Sequence, residues 1–144
     1  MAAKNKVWEK KALKLLLCKL SNYLWYNRNL SWVLFLIYSG LIFILSSIPI
    51  EIPYYFFFDP RKLILHFMEY SILGSLSFFA IRKKNISIAF SIAYGITDEI
   101  HQYFVPGRFF DFYDMLADFI GSVFGVMLIL FVLNKCSRRN LLKM

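Results

Sequence analysis

The stretch 98-DEIHQYFVPGRFFDFYDMLAD-118 holds four aspartates, one glutamate, one histidine and one arginine, in a chain of 144 residues that is 59% hydrophobic. A charged side chain at the centre of a bilayer costs about 3 kcal/mol even on the mildest insertion scale, so such residues rarely face lipid. The stretch therefore predicts either a polar loop or a site that several helices enclose. The surrounding chain decides between the two.

Four apolar runs surround or overlap this stretch, and each approaches the roughly 20 residues that a helix needs to cross a bilayer. They cover residues 31–48, 63–81, 86–104 and 115–133, and each is bounded by Pro, Gly or charged residues. None alternates as a strand would, and backbone in lipid must form helices or a closed barrel. The sequence therefore predicts an all-α, polytopic membrane protein built as a bundle of four transmembrane helices.

The basic residues predict the orientation of the bundle. Fourteen of the 17 lysines and arginines lie in residues 1–30, 82–84 and 134–144, and the other three are Arg61, Lys62 and Arg108. By the positive-inside rule both termini are cytoplasmic, and the connections 49–62 and 105–114 face outward. The net charge of +8 is explained by this topology, so we expect no nucleic-acid partner.

The two ends of the chain are predicted to be separate segments. Residues 1–30 form a basic segment in which Leu13, Leu16, Leu17, Leu20 and Leu24 recur at helical spacing. This pattern favours an amphipathic interfacial helix on the anionic lipid of the inner leaflet. The alternatives are a helix packed against another protein and a partly disordered segment, and no cleavable signal peptide is expected. Residues 134–144 are predicted to be a basic cytoplasmic tail.

The two cysteines lie in these opposite terminal segments, next to basic residues. Cys18 and Cys136 show no metal-type spacing such as CxxC. We therefore expect both to be free thiols.

The acidic residues have the opposite distribution. Glu9 alone lies on the predicted cytoplasmic side, whereas the other eight of the nine acids and both histidines lie in the outward half. At helical spacing they form one polar stripe on each of the second, third and fourth spans, and we expect the three stripes to face one another. The predicted ligand-binding residues are His66, Glu69, Asp98, Glu99, His101, Gln102, Arg108, Asp114 and Asp118.

The segment 105-VPGR-108 predicts a tight turn that brings the third and fourth spans together as antiparallel neighbours. It leaves Arg108 within reach of Asp98, Glu99, Asp111 or Asp114, or of an anionic headgroup. Small residues, among them Gly74, Gly95, Gly121 and Gly125, mark helix faces that allow close approach.

These residues together resemble the VanZ family of small bacterial membrane proteins. The resemblance rests on His66-Phe67, Tyr70 and Leu73-Gly74, on 94-YGITDEIHQYFVPGR-108, on Asp114, Asp118 and 121-GSVFG-125, and on Ser46-Ser47-x-Pro49. It covers roughly residues 31–133, which we therefore take as the VanZ-like membrane domain. The resemblance implies a four-helix protein of the bacterial plasma membrane and cell envelope, and a link to teicoplanin resistance as an accessory factor.

Two functional hypotheses follow for the polar stripes. The first is an outward-facing site for the polar head of an amphiphile: a lipid-linked wall precursor, a phospholipid or a lipoglycopeptide such as teicoplanin. Arg108 would hold an anionic group, and the aromatic runs 54–58 and 109–113 would lie in the interfacial belt.

The second hypothesis is a membrane-embedded hydrolase or transferase that acts on a lipid headgroup. His66 or His101 would be the general base or nucleophile, oriented by Glu69 or Asp98. Alternatively, His66, Asp98 and His101 could hold a divalent metal, although no cofactor is specified by the spacing. Whether the protein is an enzyme stays open at this point.

A third interpretation needs no ligand at all. The charged residues would form a buried salt-bridge network that fixes helix packing, although ionisable groups are costly to keep in a membrane for that purpose alone. A transporter is less favoured because four short helices enclose little volume, a limit that a homo-oligomer would relax.

Overall fold

The computed structural model describes residues 2–49 and 60–141, and within them the side chains of residues 12, 15–49 and 60–136. This part of the chain is all-α and contains five helices, which confirms the prediction of an all-α fold. They are α1 (Ala2–Tyr26), α2 (Arg28–Ser46), α3 (Pro60–Ile81), α4 (Lys84–Tyr103) and α5 (Phe112–Leu141). The predicted loop charges Glu51 and Asp59 and the aromatic run 54–58 lie outside the described residues.

Three of these helices are long and apolar enough to cross a membrane: α2, α3 and the Phe112–Cys136 part of α5. Helix α4 matches the predicted third span in position but is not among them, since Asp98, Glu99 and His101 lower its hydropathy. Large apolar side chains such as Ile37, Leu65 and Phe131 lie exposed on the outside of the bundle. Such a surface is typical of helices that face lipid.

The centre of the bundle is the pair α3 and α5, which pack with their backbones in close contact. A β-carbon on Gly74 would overlap the carbonyl oxygen of Ser122, and one on Gly121 or Gly125 would overlap that of Phe67 or Ser71. Small residues in membrane helices allow this approach because the contact between the helices is then made by backbone atoms. The predicted role of these three glycines is thereby confirmed.

Two short connections place α4 against α3 and α5. The predicted turn is present: the Arg108 amide donates to the carbonyl of Val105 at 3.1 Å, and Gly107 has a φ of 81°. A positive φ with proline before it defines a type II turn, which favours glycine at this position. At the other end of α4, Arg82 also has a positive φ, 63°, and its guanidinium donates to the carbonyl of Trp25 in α1.

Helix α1 is separated from α2 by a single residue. The part of α1 around Cys18 lies beside the part of α5 around Cys136. Cys18 and Cys136 form a disulfide, with their Cα atoms 5.6 Å apart. The prediction of free thiols is therefore wrong, because helix packing brings together two cysteines that are 118 residues apart in sequence. Leu24 is buried, whereas Leu16, Leu17 and Leu20 are exposed; their placement at an inner leaflet stays a prediction.

The interior of the bundle is divided between an apolar and a polar part. Phe35, Ile42, Tyr70, Leu73 and Ala80 form the apolar core. Ionisable and amide side chains are buried at the end of the bundle that carries the α4–α5 turn: His66, Asp98, Glu99, Gln102, Asp114 and Asp118. Six of the nine predicted site residues therefore turn inward, whereas Glu69, His101 and Arg108 are only partly buried.

Candidate functional site

A first group of buried polar residues, the Asp98 cluster, joins α4 to the end of α2 and consists of Ser46, Asp98, Gln102 and Arg108. The Ser46 hydroxyl donates to Asp98 Oδ1 at 2.5 Å, and the Gln102 amide donates to Asp98 Oδ2 at 2.9 Å. The Tyr70 hydroxyl lies 3.5 Å from the same Oδ2. Both oxygens of this carboxylate therefore have partners from within the protein.

Arg108 completes the Asp98 cluster as a cap on α2. Its guanidinium donates to the carbonyls of Leu45 and Ile48 at 2.9 and 3.2 Å and to Gln102 Oε1 at 3.0 Å. Carbonyls in the last turn of a helix lack partners within the helix, and a cation there also suits the helix dipole. Arg108 therefore binds carbonyl and amide oxygens rather than any of the four carboxylates considered from the sequence.

His101 lies near this cluster on the exposed side of α4. Its Nε2 is 2.9 Å from the hydroxyl of Ser47, and its ring stacks on Phe43 with the centroids 4.4 Å apart. Both partners come from the end of α2. The structure therefore separates His101 from His66, which has partners on a different helix.

A second group, the Asp118 cluster, lies between α3, α4 and α5 and consists of Lys62, His66, Glu99, Asp114 and Asp118. His66 Nδ1 is 3.0 Å from Asp118 Oδ1, and its Nε2 is 3.8 Å from Asp114 Oδ2. Lys62 forms an ion pair with the same oxygen of Asp114. Glu99 Oε1 accepts the Asp111 amide at 2.6 Å, and Glu99 lies within electrostatic range of Asp114, His66 and Lys62.

Several carboxylate oxygens of the Asp118 cluster lack a hydrogen-bond partner among the described residues. They are Asp118 Oδ2, Asp114 Oδ1 and Glu99 Oε2, and the three residues are only 2%, 0% and 1% exposed. A buried acceptor without a donor costs about 1–3 kcal/mol, and more if it is charged. These three acceptors therefore mark a place where a donor from outside the described chain would be stabilising.

Tyr70 separates the two clusters. It is fully buried, its hydroxyl reaches Asp98, and its ring lies against Gly95. A β-carbon on Gly95 would lie 3.0 Å from Tyr70 Cε1 and 3.4 Å from Asp118 Oδ2. The backbone of α4 at Gly95 therefore borders both Tyr70 and the unpartnered oxygen of Asp118.

The structure bears on two roles expected from the sequence: the residue that orients His66, and the ligands of a possible metal ion. The partner that orients His66 is Asp118, whereas Glu69 is only partly buried and its carbonyl accepts the Tyr38 hydroxyl. Within residues 2–49 and 60–141, no group of three His, Cys, Asp or Glu side chains is arranged to hold a metal ion. His66, Asp98 and His101 belong to separate contacts.

Lys62 and Ser46 are part of the clusters, although neither was among the site residues predicted from the sequence. Lys62 is four residues before His66, so both lie on the same face of α3, and this spacing could have placed it beside Asp114. Ser46 lies in the last turn of α2. Its contact with Asp98 had no signal beyond its place in the Ser-Ser-x-Pro pattern.

The apolar helices and the buried polar end define a small helical membrane protein with an ionisable interior. The chain matches the VanZ/LLP1 family over residues 7–133, and it belongs to that family. The match begins well before residue 31 and so includes most of α1, which the motif resemblance did not cover. No curated protein and no solved structure gives a significant match.

Proposed function

We propose that this protein lies in the bacterial plasma membrane and binds the polar head of an amphiphile at the Asp118 cluster. In this proposal α2, α3, α4 and α5 all span the membrane and both termini are cytoplasmic. The buried polar end then opens toward the outside of the cell. The distribution of basic residues supports this orientation.

The proposal rests on one observation: the Asp118 cluster contains acceptor oxygens that are buried and unsatisfied. Buried polar groups in proteins nearly always have partners, so a set of exceptions in one place calls for a physical reason. Three carboxylates against one lysine and one histidine also leave an excess of acceptors. A headgroup that carries hydroxyl or ammonium donors would satisfy them.

Three classes of amphiphile fit this chemistry: a lipid-linked wall precursor, a phospholipid and a lipoglycopeptide such as teicoplanin. Each combines an apolar part with a head that offers hydrogen-bond donors. Binding of such a molecule at the outer surface would contribute to glycopeptide resistance if it altered the supply of wall precursor or the access of the drug. The family membership supports this link.

The test uses isosteric substitutions of the Asp118 cluster in a host in which the chain raises teicoplanin resistance. Asp118→Asn and His66→Gln should return resistance to the level of the host without the protein, while immunoblots show unchanged abundance in the membrane. Thr97→Val is the matched control, since Thr97 is exposed and its hydroxyl bonds only within α4, to the carbonyl of Tyr94. Full resistance in Asp118→Asn at normal abundance would show that the cluster is not the binding site.

A second candidate function is a hydrolase or transferase that acts on a lipid headgroup. It is favoured by the 3.0 Å contact between His66 Nδ1 and Asp118 Oδ1, because a carboxylate that fixes one ring nitrogen can prepare the other as a general base. The other nitrogen, Nε2, lies 3.8 Å from Asp114 Oδ2.

Turnover separates the second function from simple binding. Purified protein would be incubated with an undecaprenyl phosphate or a phospholipid, and the released headgroup or phosphate measured. An enzyme should lose this release in His66→Gln yet still bind the lipid. If wild-type protein binds the lipid without any release, the binding function is correct and the enzyme is not.

A further inference from the structure

A cleft of about 200 Å³ lies between α4 and α5 and reaches the Asp118 cluster. Its walls are almost entirely apolar and include Ile92, Ile96, Met115 and Phe119, whereas Gly95 and Asp118 form its inner end. Ile96 and Phe119 are 42% and 47% exposed. Because these side chains lie on the outer surface of the bundle, the cleft opens sideways, toward the hydrocarbon of the membrane.

Gly95 lies between this cleft and the polar interior, and we call the space beside its Cα the window. A β-carbon there would come within 3.4 Å of Asp118 Oδ2 and 3.3 Å of Asp118 Cβ, so any side chain at this position would occupy the space beside the carboxylate. That oxygen has no hydrogen-bond partner in the described chain, whereas Oδ1 of the same carboxylate is bonded to His66. One carboxylate oxygen is therefore held in place and the other is left for something else.

From this geometry we infer that a hydrocarbon-chain ligand with a protonated primary amine enters between α4 and α5 and donates to Asp118 Oδ2 past Gly95. The inference rests on the proposed function and adds the route and the charge of the headgroup. The hydrocarbon chain lies along the apolar walls of the cleft, where contact with Ile96 and Phe119 replaces contact with lipid.

The ammonium group follows from the excess of hydrogen-bond acceptors around Asp118. Glu99, Asp114 and Asp118 carry more acceptor oxygens than Lys62 and His66 satisfy, so the cluster favours a head that has several donors and no acceptor, as an ammonium group does. A head that carries only a carboxylate or a phosphate, without an amine, would place acceptors against the unpartnered carboxylate oxygens. A hydroxyl would satisfy one oxygen but would leave the other unpartnered acceptors without a donor.

The test measures equilibrium binding of tritiated hexadecylamine to the purified full chain in maltoside micelles. Hexadecanol and palmitic acid serve as competitors with the same chain length and a neutral or anionic head. Wild-type protein should bind the amine at least about tenfold more tightly than palmitic acid, whose carboxylate offers no donor. It should also bind the amine more tightly than hexadecanol, because a charged donor forms a stronger hydrogen bond to a carboxylate than a neutral hydroxyl does. Equal competition by palmitic acid or by hexadecanol would overturn the inference.

Two glycine variants make the test specific to the route. Gly95→Ala places a methyl group in the window and should weaken amine binding by about tenfold or more. Gly40→Ala is the matched control, because a β-carbon on Gly40 of α2 meets nothing within 4 Å, and it should bind like the wild type. Ile96→Trp fills the cleft from its exposed side and should also weaken binding, which keeps the test decisive if Gly95→Ala does not fold.

Asp118→Asn distinguishes failure of the route from failure of the proposed function. If Asp118→Asn loses the amine while folded Gly95→Ala and Ile96→Trp bind normally, the site is correct and the route between α4 and α5 is wrong. If Asp118→Asn also binds like the wild type, both proposals are wrong.

Discussion

The Asp98 and Asp118 clusters lie side by side, at the same end of the bundle, but differ in how their carboxylates are satisfied. Asp98 accepts hydrogen bonds from Ser46 and Gln102, with Tyr70 nearby. Asp118 has His66 on one oxygen and no partner in the described chain on the other. Both oxygens of Asp98 are therefore hydrogen-bonded within the protein, whereas one oxygen of Asp118 is left without a partner.

This difference assigns a structural role to the Asp98 cluster and a ligand-binding role to the Asp118 cluster. A buried carboxylate with donors on both oxygens stabilises helix contacts, and its loss leaves those donors unsatisfied. A buried carboxylate with a free oxygen lowers the stability of the fold until a donor binds to that oxygen. We therefore expect substitutions in the Asp98 cluster to lower stability and those in the Asp118 cluster to abolish binding.

The largest effect on stability is expected from Asp98→Ala. It removes the acceptor for Ser46 and Gln102 together, so we expect the free energy of unfolding to fall by about 3 kcal/mol. Thermal unfolding in detergent, followed by circular dichroism, measures the loss. A melting temperature equal to that of the wild type would mean that Asp98 does not hold α2 to α4.

A smaller loss is expected from Ser46→Ala, which removes one of the donors to Asp98. The expected cost is about 1.5 kcal/mol, the value of a hydrogen bond to a charged group. Ser39→Ala is the control, since the Ser39 hydroxyl bonds within its own helix to the carbonyl of Phe35. Equal melting temperatures for the two variants would remove Ser46 from the network.

Glu99→Gln should raise the stability of the protein but weaken its binding of ligand. The amide keeps an oxygen for the backbone of Asp111 and replaces the unpartnered Oε2 by a donor, which faces the neighbouring carboxylates. The protein should become more stable by up to about 1 kcal/mol and bind hexadecylamine more weakly. A loss of stability comparable to that of Asp98→Ala would place Glu99 with the structural residues instead.

The smallest effect is expected from Arg108→Lys, because its contacts are partly exposed to solvent. Lysine keeps the charge at the end of α2 but cannot reach two carbonyls and Gln102 at once, as the planar guanidinium does. The cost should be about 0.5 kcal/mol, and teicoplanin resistance should persist. If resistance is lost at normal abundance, Arg108 contacts the ligand, as the sequence alone suggested.

Much of this arrangement was predictable from helical spacing. His66, Asp98 and Asp118 were expected to turn inward because exposure of charge to lipid is costly, and all three are buried. The turn at Pro106-Gly107 was predictable because that dipeptide restricts the backbone to few conformations. Helix α4 was predicted as a span from the length of its apolar run, but its charged end leaves its hydropathy below that of α2, α3 and α5.

The division into two clusters was not predictable. It depends on the rotation of α3 against α5, which the close backbone contacts at Gly74, Gly121 and Gly125 determine. A rotation of a few tens of degrees would have given His66 a different partner, and spacing along the sequence does not determine such a rotation. The disulfide between Cys18 and Cys136 was missed for a similar reason, since it depends on where α1 packs.

The most direct test of the account is native mass spectrometry of the full chain extracted from bacterial membranes. Wild-type protein and Thr97→Val should carry a bound lipid whose headgroup contains an ammonium or hydroxyl group, and Asp118→Asn should lose it while its helical content is unchanged. If Asp118→Asn carries the same lipid in the same amount as the wild type, the open oxygen of Asp118 does not hold a ligand, and the central claim is wrong.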